Sequence, residues 1–154
     1  MKKVLIIEDE HQLRDNIVEL FETDGYVVLA AENGLVGFEE ALRQVPDLIV
    51  SDVIMPELDG FGLLHKVREN PVTELIPVIL LTAKNMMEAK LEGLEKGADD
   101  YIAKPFDARE LLLRARNLMN KQEKLLKRGM LHTKEEEIVP KKEKLVRDII
   151  QYID

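Results

Sequence analysis

The chain contains no cysteine and only three histidines, His11, His65 and His132. Without cysteine there is no disulfide framework, no thiolate nucleophile and no cysteine-ligated zinc. The histidines show no helical metal-ligand spacing, so each reads as an ordinary surface residue. No run of eighteen apolar residues occurs. The start Met1-Lys2-Lys3 is followed by only Val4-Leu5-Ile6-Ile7 before Glu8-Asp9-Glu10, so neither a membrane span nor a secretory leader fits, and a cytosolic location is the expectation. Clustered basic charge is missing too. Residues 1–120 hold thirteen Lys and Arg against twenty-three Asp and Glu, whereas residues 121–154 hold nine against seven. An acidic body of that kind argues against direct nucleic-acid contact by the first 120 residues, because phosphate neutralisation needs clustered cations.

What is present is a soluble globular balance, 45% hydrophobic and 34% charged over 154 residues, enough for one domain with a core. Short apolar runs alternate with helical periodicity. Val4 to Ile7 reads as a strand, and Leu13, Ile17, Leu20 and Phe21 as a helix stopped at Thr23-Asp24-Gly25. Tyr26 to Ala30 and Asp47 to Val50 are strand-like, with Leu35, Phe38, Ala41 and Leu42 on one helical face between them. After the Asp59-Gly60 turn, Phe61, Leu64, His65 and Arg68 predict a helix ending by Asn70-Pro71. Pro77 to Leu81 is a fourth strand, Met86, Met87, Leu91 and Leu94 a helix closed at Lys96-Gly97, and Tyr101 to Ala103 a fifth strand. Asp107 with Glu110 reads as a capping box opening a last helix through Leu111, Leu112, Ala115, Leu118 and Met119.

Five strands alternating with five helices, the strands apolar on both faces, predict a doubly wound α/β domain with a parallel sheet between helical layers. Such sheets place ligands at the carboxyl ends of their strands. Those ends carry Glu8-Asp9-Glu10, Ser51-Asp52, Thr82-Ala83-Lys84 and Lys104-Pro105. Taken singly, each has an ordinary explanation: helix-capping acids, a loop acid, a strand-end hydroxyl, a solvated lysine. Taken together, they gather several carboxylates, a hydroxyl and an ammonium on one edge. Crowded carboxylates with only oxygen ligands suit Mg²⁺, which keeps waters and leaves room for a phosphoryl oxygen. Asp52 on the central strand would be the nucleophile, with Thr82 and Lys104 on its other side.

The stretches LIIEDE, LIVSDVIMPELDGF, VILLTA and GADDYIAKPF, spread over residues 1–120, together resemble the receiver domain of bacterial two-component response regulators. The resemblance implies a flavodoxin-like (βα)5 fold of strand order 2-1-3-4-5. It implies that Asp52 is the phosphoacceptor and that Glu8, Asp9, Asp52 and the backbone carbonyl of Ile54 hold Mg²⁺. Thr82 and Lys104 resemble the switch hydroxyl and the phosphate-pairing lysine, Tyr101 the aromatic that turns inward, and Lys104-Pro105 a bond usually cis in the family. The phosphate would come from a histidine kinase or histidine phosphotransfer protein. An output domain or effector would read the altered face around residues 84–119, so the role is signalling rather than turnover. Apolar Ile54 offers no polar group to orient an attacking water, which predicts slow self-dephosphorylation.

Two rivals on this fold fit less well. A haloacid-dehalogenase-type phosphatase would want a second Asp where Ile54 stands, and a nucleotide or flavin binder a Gly- or Ser/Thr-rich loop where Glu8-Asp9-Glu10 stands. A receiver-fold interaction module that takes no phosphate is the remaining alternative. Beyond residue 120, Gln122, Leu125 and Leu126 extend the last helix to Gly129. A charged linker with Pro140 follows, and then a short apolar stripe, Leu145, Val146, Ile149, Ile150, Tyr152 and Ile153. Docking on the receiver, pairing of two chains, and opening of an output domain, for which an AraC-type helix-turn-helix junction is the resemblance, are three uses for that stripe.

Overall fold

A computed structural model describes residues 1–83 and 97–136, with side chains to Gly129. The expected helix around Met86 to Leu94, the side chain of Lys84, and the linker and apolar stripe after Glu136 lie outside the described residues. Five parallel strands, β1 (Lys3–Ile7), β2 (Val27–Ala31), β3 (Leu48–Asp52), β4 (Val78–Ala83) and β5 (Asp100–Lys104), form one sheet in the order β2-β1-β3-β4-β5. Four helices are described: α1 (His11–Thr23), α2 (Gly34–Gln44), α3 (Gly60–Glu69) and α4 (Ala108–Glu136).

The two-residue strand period divides the core. Leu5, Ile7, Ile49, Val78 and Leu80 pack toward α2 and α3 with Ala41, Leu63, Leu64 and Val67. Val4, Ile6, Leu48, Val50, Ile79 and Leu81 pack toward α1 and α4 with Ile17, Phe21, Leu111, Ala115 and Met119. Burying both faces of β1, β3 and β4 requires continuous apolar runs, which those segments have. The expectation of apolar burial on both faces fails at β2, an edge strand where Val27 and Ala30 are exposed.

Polar side chains set the helix starts. Glu10, Asn33 and Asp59 accept the backbone N–H groups of Leu13, Val36 and Gly62 at 3.0, 2.9 and 2.8 Å. Asp107 accepts from Arg109 N–H at 2.8 Å, while the Glu110 carboxylate pairs with Arg114 instead of closing a capping box on Asp107. At the other ends, Asn70 is extended, as the residue before a proline must be, and Gly25 takes a φ of 95° after α1.

Helix α4 runs through Gly129 to Glu136, past the stop read from the sequence and into the charged segment taken for a linker. A glycine inside a helix costs only about 1 kcal/mol against alanine. Gly129 is flanked by Lys127-Arg128 and by Met130-Leu131, all tolerant of helix, and nothing crowds its exposed surface.

Candidate functional site

Three strands deliver the site. Asp52 and Lys104 are the last residues of β3 and β5, and Thr82 is the penultimate residue of β4, so each sits inside the hydrogen-bonded ladder rather than after it. The register sets Asp52 opposite Leu81, and Thr82 opposite Ala103. Val53 N–H donates to the Leu81 carbonyl at 3.0 Å, continuing the ladder just beyond Asp52. Gly60, the first residue of α3, fits against this strand end because it has no side chain: a Cβ there would lie 2.6 Å from the Asp52 carbonyl oxygen and 2.8 Å from Val53 Cα.

Asp52 is only 7% exposed. Its Oδ1 accepts from Val53 N–H at 2.9 Å and pairs with Lys104 Nζ at 3.0 Å. Lys104 Nζ also lies 3.5 Å from Glu8 Oε1. Glu8 is 1% exposed and its Oε2 accepts from Glu10 N–H at 3.1 Å, yet buried Oε1 has no hydrogen-bond partner. Burial pushes the Glu8 carboxyl up to about 7, and the Asp52 and Asp9 carboxylates add to the rise, while Glu10 N–H and Lys104 oppose it.

Glu8, Asp9 and Asp52 each offer an oxygen within 4.8 Å of the others. A buried carboxylate oxygen that accepts no hydrogen bond, inside an all-oxygen cluster, fits a hard divalent cation. Asp9 is the exposed member of the cluster, and Ile54, on the loop after β3, is exposed as well. Thr82 is buried and its hydroxyl donates to the Ala83 carbonyl at 3.3 Å. Tyr101 is buried among the side chains facing α2 and α3, and the Lys104-Pro105 peptide is cis. A cavity of about 460 Å³ opens beside Lys104, bordered by Leu13, Ala83, Pro105 and Phe106. A second one, of about 270 Å³, lies among Val45, Val72, Leu75 and Leu126 and includes none of these site residues.

Residues 4–116 match the family described as the response regulator receiver domain. The chain belongs to that family. The receiver is 45% identical over 122 residues to histidine kinase P4 of Formosa agariphila, covering 79% of this chain and 9% of that protein. It is 38% identical over 125 residues to the DNA-binding dual master transcriptional regulator RpaA of Synechocystis, covering 81% of this chain and 52% of the regulator. The chain thus spans about half the length of RpaA and a small part of the kinase. Among solved structures, a response regulator of Chloroflexus aurantiacus superposes with a TM-score of 0.74 at 34% identity, covering 77% of this chain and 98% of that one. A Francisella receiver domain gives 0.73 at 36%, covering 79% and 98%. Both the strand order and the flavodoxin-like architecture expected from the sequence are those of the receiver fold. Among the described residues no helix is long and apolar enough to cross a membrane.

Two contributors had no role assigned from the sequence. Ser51, fully buried, donates its hydroxyl to the Asp52 carbonyl at 2.9 Å. Arg14, in the first turns of α1, donates to the Glu8 carbonyl at 2.8 Å. A cation near a helix N-terminus opposes the helix dipole, and that mismatch was the available signal for Arg14.

Proposed function

We propose that this receiver, in the cytoplasm, accepts a phosphoryl group on Asp52 from the phosphohistidine of a histidine kinase or phosphotransfer protein. The observation that carries the reading is a buried carboxylate at the end of the central strand, held by Lys104 on one oxygen and bordered by two further carboxylates. Among the described residues Oδ2 of Asp52 has no hydrogen-bond donor, which leaves it able to attack phosphorus. As the new P–O bond forms, the P–N bond to the donor breaks and its electron pair leaves with the imidazole, which departs neutral with a proton on its other nitrogen.

Glu8, Asp9, Asp52 and the Ile54 carbonyl are the groups to hold Mg²⁺. When bound, the ion offsets charge gathering on the transferring oxygens. Lys104 pairs with one phosphoryl oxygen. The Thr82 hydroxyl exchanges its Ala83 acceptor for another, and the space it vacates is taken by Tyr101, altering the face around residues 84–119 for an output domain or effector to read. Residues 1–120 are the signalling unit, and residues 121–154 connect it to that output or to a second copy.

Intact mass after incubation with acetyl phosphate tests the reading. The expected result is gain of one phosphoryl group with Mg²⁺ and none with chelator. No gain under either condition would leave a receiver fold that works only by docking. Ile54→Asn supplies a polar group beside the phosphoryl site and is expected to shorten the phosphoryl lifetime several-fold, read as loss of the added mass over time. An unchanged lifetime would remove Ile54 from control of water access.

A further inference from the structure

The turn that presents Glu8 and Asp9 is closed by hydrogen bonds at each end. Glu8 N–H donates to the Ala31 carbonyl of β2 at 3.1 Å. Glu10 N–H is held by Glu8 Oε2, Glu10 Oε1 accepts from Leu13 N–H, and the Glu10 carbonyl accepts from Arg14 N–H at 2.9 Å. The Glu8 carbonyl is the point where strand becomes turn, and there the donor comes from a side chain: Arg14 Nη1, at 2.8 Å. Arg14 is half-buried, and its guanidinium reaches back from α1 past the turn it follows.

We infer that Arg14 is a positioning residue for the acidic pair, locking the Glu8 peptide so that the Glu8 and Asp9 carboxylates stay directed at the cation that Asp52 shares. The inference rests on the reading of that cluster as a Mg²⁺ site. Its physical basis is the dependence of ligand geometry on outer hydrogen bonds, whose loss costs about 10- to 100-fold in metal affinity. Electrostatics has the opposite sign: a guanidinium beside a cation site repels the cation, so removing its charge alone would tighten binding. The direction of the change therefore separates the two roles.

The test uses the full chain and Mg²⁺, with affinity measured by calorimetry and thermal unfolding recorded in chelator and in saturating Mg²⁺. Arg14→Met, close in length but unable to donate, is expected to bind Mg²⁺ roughly tenfold more weakly. Its cation-induced rise in Tm should shrink accordingly. Arg14→Lys, which retains a donor, is expected to stay within a few-fold of the parent and so serves even where the Met variant folds poorly. A merely structural Arg14 would lower both melting temperatures equally and leave the affinity alone. Unchanged or tighter binding by Arg14→Met overturns the inference while leaving the cation site standing. Failure of the parent chain to bind Mg²⁺ overturns the site reading and the inference with it.

Discussion

Replacing Asp52 with Asn is expected to abolish phosphoryl incorporation, a loss on the order of a thousandfold or more, as for removal of a nucleophile elsewhere. The substitution is nearly isosteric and keeps an Oδ1 acceptor for Val53 N–H, so the end of β3 retains its local hydrogen bond. Lys104 keeps that Oδ1 as a neutral acceptor, loses the opposite charge it had at 3.0 Å, and remains beside Glu8 at 3.5 Å. Neutralising residue 52 also removes one of the charges that push the Glu8 carboxyl upward. Stability should therefore change by no more than about 1 kcal/mol. Intact mass after acetyl phosphate treatment and a thermal melt of the same sample check both halves. A variant that folds and still gains a phosphoryl group would move the acceptor to another residue.

The metal-free protein is expected to lose stability as pH rises, by up to about 3 kcal/mol from Glu8 alone. The carboxyl stands at about 7 in the folded chain against an ordinary 4.5, chiefly because burial disfavours the charged form. Below the ordinary value both folded and unfolded chains carry the proton, and the contribution is fully present. Above it the unfolded chain releases the proton first, so unfolding is progressively favoured until the folded group also ionises near 7. Urea unfolding in chelator, compared between about pH 5 and about pH 8, measures the loss, and Glu8→Gln should flatten that part of the profile. Mg²⁺ should act in the opposite sense, because it binds the ionised carboxylate: its stabilisation grows over the same interval. A parent and a Gln variant with the same pH slope would remove Glu8 as the source.

Much of this organisation was legible in the sequence because parallel strands buried on both faces leave unmistakable apolar runs. The strand ends were less so. Asp52, Thr82 and Lys104 are polar, and hydropathy drops at them, yet the ladder continues through each because backbone hydrogen bonding is indifferent to side-chain polarity. For β2 the runs of its neighbours misled, since an edge strand needs only one covered face. Gly129 misled in another way: a stop signal is a local preference of about 1 kcal/mol, and the residues around it carry the helix through. Arg14 donates to a main-chain carbonyl, a partner that no pattern of side chains encodes, so an unfavourable charge near a helix start is the trace it leaves in the sequence.

The length of α4 has a mechanical consequence. Met119 is its last buried side chain among those described, while the helix continues to Glu136. At 1.5 Å per residue the stretch from there to Glu136 is about 25 Å long, tied to the body by the Lys2–Glu123 ion pair at 3.6 Å, so a tilt of about 5° where Leu111, Ala115 and Met119 meet the sheet moves its tip by about 2 Å. A small rearrangement beside β5 would thereby become a larger displacement at a distance, the helix acting as a lever.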